Sequence, residues 1–125
     1  MYHIYISIKK RVPGEGKLAG MSALSADPNT KLAVVLDEDI EVYNDEEVLW
    51  AIATRLQGDQ GISIISAVAG AHLDPSAYDE TRLKRGSMST KMIIDATKPI
   101  DLQFATRISP PEDIWKSINV EDYLM

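Results

Sequence analysis

Residues 31–56, KLAVVLDEDIEVYNDEEVLWAIATRL, decide the fold. The run KLAVVL (31–36) is continuously apolar and bounded by turn chemistry, which is the pattern of a strand buried on both faces; a central parallel strand is the natural reading. Asn44 with Glu47 three residues later makes a capping-box-like start for a helix carrying Val48, Leu49, Ile52, Ala53 and Leu56. Gly58 and Gly61 then flank a turn, and ISIISAV (62–68) reads as a third strand. Upstream, YHIYISI (2–8) puts Ile4, Ile6 and Ile8 on one face of a first strand. After a break at Pro13, Gly14 and Gly16, the residues Leu18, Met21, Ala23, Leu24 and Ala26 form an apolar stripe at helical spacing, ending at Asp27-Pro28. Downstream, residues 76–90 are polar and weakly periodic, a long surface loop, and KMIID (91–95) is a fourth short strand. Pro111 with Glu112 and Asp113 suits the first turn of a helix over 111–118, and VEDYL (120–124) reads as a last amphipathic turn that docks on something. The alternation of strands and helices predicts an α/β three-layer sandwich with a mostly parallel sheet and right-handed crossovers, one domain over residues 1–125.

Composition narrows the function. A net charge of -6 argues against nucleic-acid binding, which needs clustered Lys and Arg. With no cysteine there is no disulfide framework, thiol nucleophile or Cys-type zinc site. The apolar stretches fall short of the about 20 residues of a membrane helix, and no signal-peptide pattern follows Met1, so a soluble, cytoplasmic protein is expected.

The chemistry-bearing residues do not assemble into a catalytic set. In an open α/β sheet ligands gather beyond the carboxyl ends of strands, here Asp37-Glu38-Asp39, the segment Ala69 to Asp74, and Asp95-Ala96-Thr97. Asp37, Glu38, Asp39, Glu41, Asp45, Glu46 and Glu47 could hold magnesium or calcium through oxygen ligands, or they could simply cap the next helix and solvate a loop; the EF-hand spacing is missing. A phosphate-receiver domain would need its acidic pair after the first strand and an acceptor Asp after the third, and neither is present. His3 and His72 stand alone, although His72 lies just past a strand, where ligand contacts are common. No GxSxG elbow, Walker loop or GxGxxG turn occurs. The absence of a complete set points to a partner.

Six segments taken together resemble the C-terminal domain of the UbiD-type decarboxylases, enzymes that use a prenylated flavin. They are Ile6 to Lys10, the Gly-containing turn before the first helix, VVLDEDIEV (34–42), VLWAIATR (48–55), LDPS (73–76) and KMIIDAT within MSTKMIIDAT (88–97). Two departures stand out: Gln57-Gly58 replaces an Asp-Pro, and Ile93 stands where relatives tend to have Gly, so packing there is expected to differ.

The resemblance implies that prenylated FMN, its divalent metal ion and the catalytic Arg and paired Glu residues belong to a larger N-terminal domain. No catalytic, cofactor-binding or metal-binding residue is then assigned in this chain. It implies an oligomerisation module that lends apolar residues to the substrate pocket, at Tyr2, Ile4, Ala71 and Leu73, with Leu73 anchored by the LDPS turn; ordinary core positions are the alternative. The implied reaction is reversible loss of carbon dioxide from an aromatic or α,β-unsaturated acid, this chain supplying shape and exclusion of water. Because the family segments begin within a few residues of Met1, a separately encoded small subunit working with a large UbiD-like catalytic subunit is expected, an isolated C-terminal domain cut from a longer chain being the alternative. The competing readings are a non-catalytic scaffold of the same fold and a metal-binding protein using Asp37, Asp39 and Asp95.

Overall fold

The computed structural model describes residues 3–123. Four strands, β1 (His3–Ile8), β2 (Leu32–Asp37), β3 (Ile62–Ala69) and β4 (Met88–Asp95), form one sheet in the order β1-β2-β4-β3. Helices α1 (Glu15–Ala26) and α2 (Asp45–Arg55), the single turn α3 (Gly58–Gly61), the short α4 (Glu112–Ser117) and a 3-10 turn (Val120–Tyr123) complete the chain. Among the described residues no helix is long and apolar enough to cross a membrane.

The sheet is mixed. β1 pairs with β2 in parallel from His3↔Leu32 to Ile8↔Asp37, and β2 pairs with β4 in parallel. β3, expected to be parallel, instead runs antiparallel to β4 from Ile62↔Ile94 to Ala69↔Met88. The cause lies in α2, whose last turn sits at the carboxyl end of the sheet: Arg55 reaches Asp37 at 2.8 Å. Gly61 follows so close to the backbone of Asp95 that a Cβ there would lie 2.6 Å from its carbonyl oxygen. A strand that starts at that end can only run back. Consequently Ala69 to Asp74, expected beside Asp37 and Asp95, leaves the sheet at its opposite end.

Asn44 caps α2 as expected, its side chain accepting the Glu46 N–H at 3.0 Å. Glu47 does not complete a capping box, because Arg107 claims its carboxylate at 2.8 Å. One core cluster joins Val48 and Ala51 of α2 to Val34, Leu36 and Ala96; the other joins Leu24 of α1 to Ala33, Val35 and Ile93. Alternate residues of β2 thus feed opposite faces, which accounts for its unbroken apolar run.

The helical stripe read for α1 is only partly the packing face. The buried residues are Gly16, Gly20 and Leu24, four apart, whereas Leu18 and Met21 are exposed. Glycine lets the helix approach closely: a Cβ on Gly20 would stand 2.5 Å from the Ile93 side chain, and one on Gly16 would overlap the Asp95 carboxylate. Ile93, fully buried, fills the room left by Gly20.

β4 begins three residues earlier than expected because Met88 and Ser89 pair with Ala69 and Val68 of β3, beyond a bulge between Ile65 and Val68. Ala67 in that bulge has φ +58°, and its N–H donates to the Tyr78 hydroxyl at 3.1 Å. Tyr78 also bridges to Arg85 and Met88, so the 70–87 loop is folded back on the sheet.

Candidate functional site

The carboxyl end of β2 is where a ligand is expected in an α/β sheet. Asp37 is buried there, with Asp39 half exposed two residues on. Arg55 enters from the last turn of α2 with its side chain only 3% exposed. Its two terminal nitrogens make a fork to Asp39 at 2.9 and 2.9 Å, and Nη1 also donates to Asp37 at 2.8 Å. Asp37 accepts the Lys98 backbone N–H at 2.8 Å, and Lys98 Nζ reaches Asp39 at 3.0 Å. Lys10 donates to Thr97 Oγ1 at 2.8 Å, while Asp95 accepts the Thr97 N–H and hydroxyl.

Hydrogen bonding by Arg55, with help from Lys98, lowers the Asp39 carboxyl from the ordinary 3.8 to about 2. Such a group is an anion near neutrality, paired with Arg55 and Lys98. It has no proton to exchange near neutrality. The shallow cavity here, about 240 Å³, is lined by these same paired charges and Ile8. Among the described residues no three His, Cys, Asp or Glu side chains are grouped to hold a metal ion. Of the candidate ligands, Asp37 and Asp39 belong to a clamp that ties β2, α2 and the segment after β4, while Asp95 is taken up by Thr97. Among the described residues at this end, the lysines are engaged by acids or a hydroxyl, an arrangement that does not fit a flavin phosphate.

The opposite end holds the predicted pocket residues Ile4, Ala71 and Leu73. Asp74 of the LDPS turn is buried and receives Lys31 Nζ at 2.7 Å. It also accepts the Ser76 N–H at 2.9 Å and the Ser76 hydroxyl at 2.7 Å. Lys31 and Ser76 together lower its carboxyl to about 2. This turn presents Leu73 outward, 82% exposed, with Ala71 half buried and His72 exposed beside it. Arg85 steadies the segment by donating to the His72 carbonyl at 3.1 Å. Ile4 lies on edge strand β1, beside an open cavity of about 450 Å³ lined by His3, Ile4, Tyr5, Val42 and Tyr43. Tyr2 lies outside the described residues. Leu73 does not line the cavity that Ile4 does.

Two cations that organise these ends were not singled out in the sequence, Arg55 and Lys91. Lys91 is buried, and its Nζ donates to the carbonyls of Leu24 at 3.3 Å and Pro28 at 3.0 Å. It serves the carboxyl end of α1, whose last turn has no basic residue of its own. Burial pushes its ammonium below the ordinary lysine range. The signal for Arg55 was present, a cation in the last turn of a helix that follows an acidic strand end. For Lys91 there was none, since its helix partner lies over sixty residues away.

Comparison with known proteins now bears on this geometry. The sequence profile of the 3-octaprenyl-4-hydroxybenzoate carboxy-lyase C-terminal domain matches residues 1–96. The chain belongs to the UbiD family. The UbiD C-terminal domain is 44% identical over 98 residues to the anhydromevalonate phosphate decarboxylase of Methanothermobacter thermautotrophicus, covering 78% of this chain and 22% of that enzyme. It is 33% identical over 93 residues to the gallate decarboxylase of Lactiplantibacillus plantarum, covering 72% and 19%. Among solved structures, the UbiD-class enzyme HmfF from Pelotomaculum thermopropionicum, in complex with FMN, superposes with a TM-score of 0.81 and 39% identity over 98% of this chain and 26% of that one. This UbiD chain therefore spans about a fifth to a quarter of the length of the proteins it matches.

Proposed function

We propose that this chain is the C-terminal module of a UbiD-like decarboxylase, acting as a small subunit beside a large catalytic polypeptide. The observation that carries this is the pairing of a family match over residues 1–96 with coverage of only 22% of the anhydromevalonate phosphate decarboxylase of Methanothermobacter thermautotrophicus. The substrate class is an aromatic or α,β-unsaturated acid, the first in keeping with a relative named gallate decarboxylase. Prenylated FMN with a divalent metal, held in the large polypeptide, supplies the electron sink for decarboxylation. A dimeric evolved form of HmfF is described with prFMN.

The residues of this chain would do three things. Leu73 and Ala71, held by the Asp74–Lys31 pair, with Ile4 from β1 and with Tyr2, would add apolar wall to the pocket and exclude water. The clamp of Arg55, Asp37, Asp39 and Lys98 would keep that wall rigid. Surfaces left open here would join copies into an oligomer.

Co-expression with a UbiD-like polypeptide lacking this domain provides the test. The expected result is a co-purifying complex with flavin absorbance, while the chain purified alone is colourless. Failure to co-purify, with both proteins folded, would favour a non-catalytic scaffold of the same fold.

A further inference from the structure

Lys91 alternates with Ser89 and Ile93 on the face of β4 that α1 covers, since every second residue of a strand points the same way. It is only 4% exposed, and a lysine is almost never buried so deeply without a partner charge. Lys31, Arg55 and Lys98 each meet a carboxylate. Among the described residues Lys91 meets none, and its Nζ bonds to the neutral carbonyls of Leu24 and Pro28. An ammonium carries three N–H donors, so these two carbonyls leave one over. Asp27 attracts Lys91 through space, but its carboxylate is turned to Asn29, accepting the backbone N–H at 2.8 Å and the side-chain amide at 2.9 Å.

A hollow opens beside this cation. Helix α1 lies over β1, β2 and β4, and between it and the edge strand β3 there is a cavity of about 370 Å³. The buried Leu24 and Lys91 make its deepest lining, Ile65 and Val68 of β3 form one wall, and Met21 and Ala69 are exposed at its rim. The two carbonyls that hold Nζ belong to Leu24 and Pro28, and both residues line the hollow, which places the ammonium within its wall. Apolar walls with one convergent polar group are the make-up of a small-molecule site, and the volume falls in the usual range of about 300–1,000 Å³.

The charge selects the ligand. The carboxyl end of α1 carries roughly half a negative charge, which offsets about half of the ammonium. What remains suits one negative charge and not the near-double charge of a phosphate monoester. A phosphate's further oxygens would also face apolar walls and the Leu24 and Pro28 carbonyls, without donors to satisfy them.

We propose that this hollow binds a small apolar monocarboxylate, its carboxylate accepting the third N–H of Lys91 and its hydrocarbon body lying between Leu24, Ile65 and Val68. None of the residues assigned to the substrate pocket lines it, so the proposal does not depend on the enzymatic reading.

Titration of the full chain with sodium octanoate and with sodium benzoate, followed in amide NMR spectra, is the experiment. Saturable shifts are expected for Leu24, Ile65 and Val68 with at least one of the two acids, the chain against the ring showing which body the hollow prefers. Octanamide keeps the octanoate body without its charge and should bind at least about tenfold more weakly, the loss of one charge-assisted hydrogen bond. Ala69→Trp, which fills the hollow from its rim and leaves Lys91 in place, should abolish the shifts while the rest of the spectrum is kept. Lys91→Met should bring octanoate to the level of octanamide; should that variant unfold because α1 loses its cap, Ala69→Trp still decides. No saturable shift at these residues with either acid, equal binding of octanoate and octanamide, or binding that survives Ala69→Trp overturns the proposal.

Discussion

The carboxyl end of β2 and the turn that carries Leu73 lie at opposite ends of one small sheet and are built on opposite plans. At the first, Asp37, Asp39, Arg55 and Lys98 answer one another, and the place where an α/β sheet usually receives a ligand is closed by the protein's own charges. At the second, an ion pair is used to hold an apolar side chain out in solvent, Asp74 with Lys31 beneath Leu73. A group that is ionised and fully paired does no proton transfer, while an anchored and uncovered leucine has affinity for another apolar surface. The difference teaches that one end of the sheet is spent on holding the fold together, while the other keeps an apolar side chain uncovered.

The clamp should be the more fragile of the two ends. Arg55→Met leaves Asp37 buried without its cation, and breaking a buried pair this way costs about 3–5 kcal/mol. Urea unfolding should show that loss, and Asp37→Leu in the same chain should recover much of it. A loss below about 1 kcal/mol would mean that the clamp is ornamental.

Next in size is the Gly20–Ile93 contact beside the clamp. Ile93→Ala should cost about 2–5 kcal/mol as a core truncation. Gly20→Ala should destabilise while Ile93 is present, since its Cβ has no room. In the Ile93→Gly background the same change should stabilise by about 0.5–1 kcal/mol, the ordinary preference for Ala over Gly in a helix. The sign reversal, measured as a double-mutant cycle, isolates the contact.

Both ends respond to acid. Asp39 and Asp74 have folded values of about 2 against an ordinary 3.8. Each is therefore more acidic in the fold, so its stabilisation is complete above pH 3.8 and is lost as pH falls through about 2. Denaturation measured between pH 5 and pH 2 should steepen in this window, and Asp74→Asn should remove part of the slope. Smallest in stability is Leu73→Ser, within about 0.5 kcal/mol because the side chain is exposed. Its effect should appear instead as weaker catalysis by the assembled enzyme.

What could be read from residues alone follows the range of the interactions. β2 was legible because burial on both faces erases alternation, and α2 because Asn44 announces its first turn. The reversed direction of β3 was not legible, since it depends on where α2 delivers the chain. The face of α1 was misread because glycine carries no apolar signal, although Gly16 and Gly20 are the residues that let the helix approach. Asp37 and Asp39 were visible as an acidic strand end, but their meaning required Arg55, eighteen residues from Asp37. The tail beyond residue 96 lies outside the family match, and its reading as a docking element came from VEDYL (120–124) alone.

The central claim is that the reaction belongs to a complex and not to this chain. Carbon dioxide release from gallate and from anhydromevalonate phosphate, measured for the purified chain, for a large UbiD-like polypeptide carrying prenylated flavin, and for the two together, tests it most directly. The account predicts turnover of at least one acid by the mixture, less by the large polypeptide, and none by this chain. Turnover by this chain alone would contradict it.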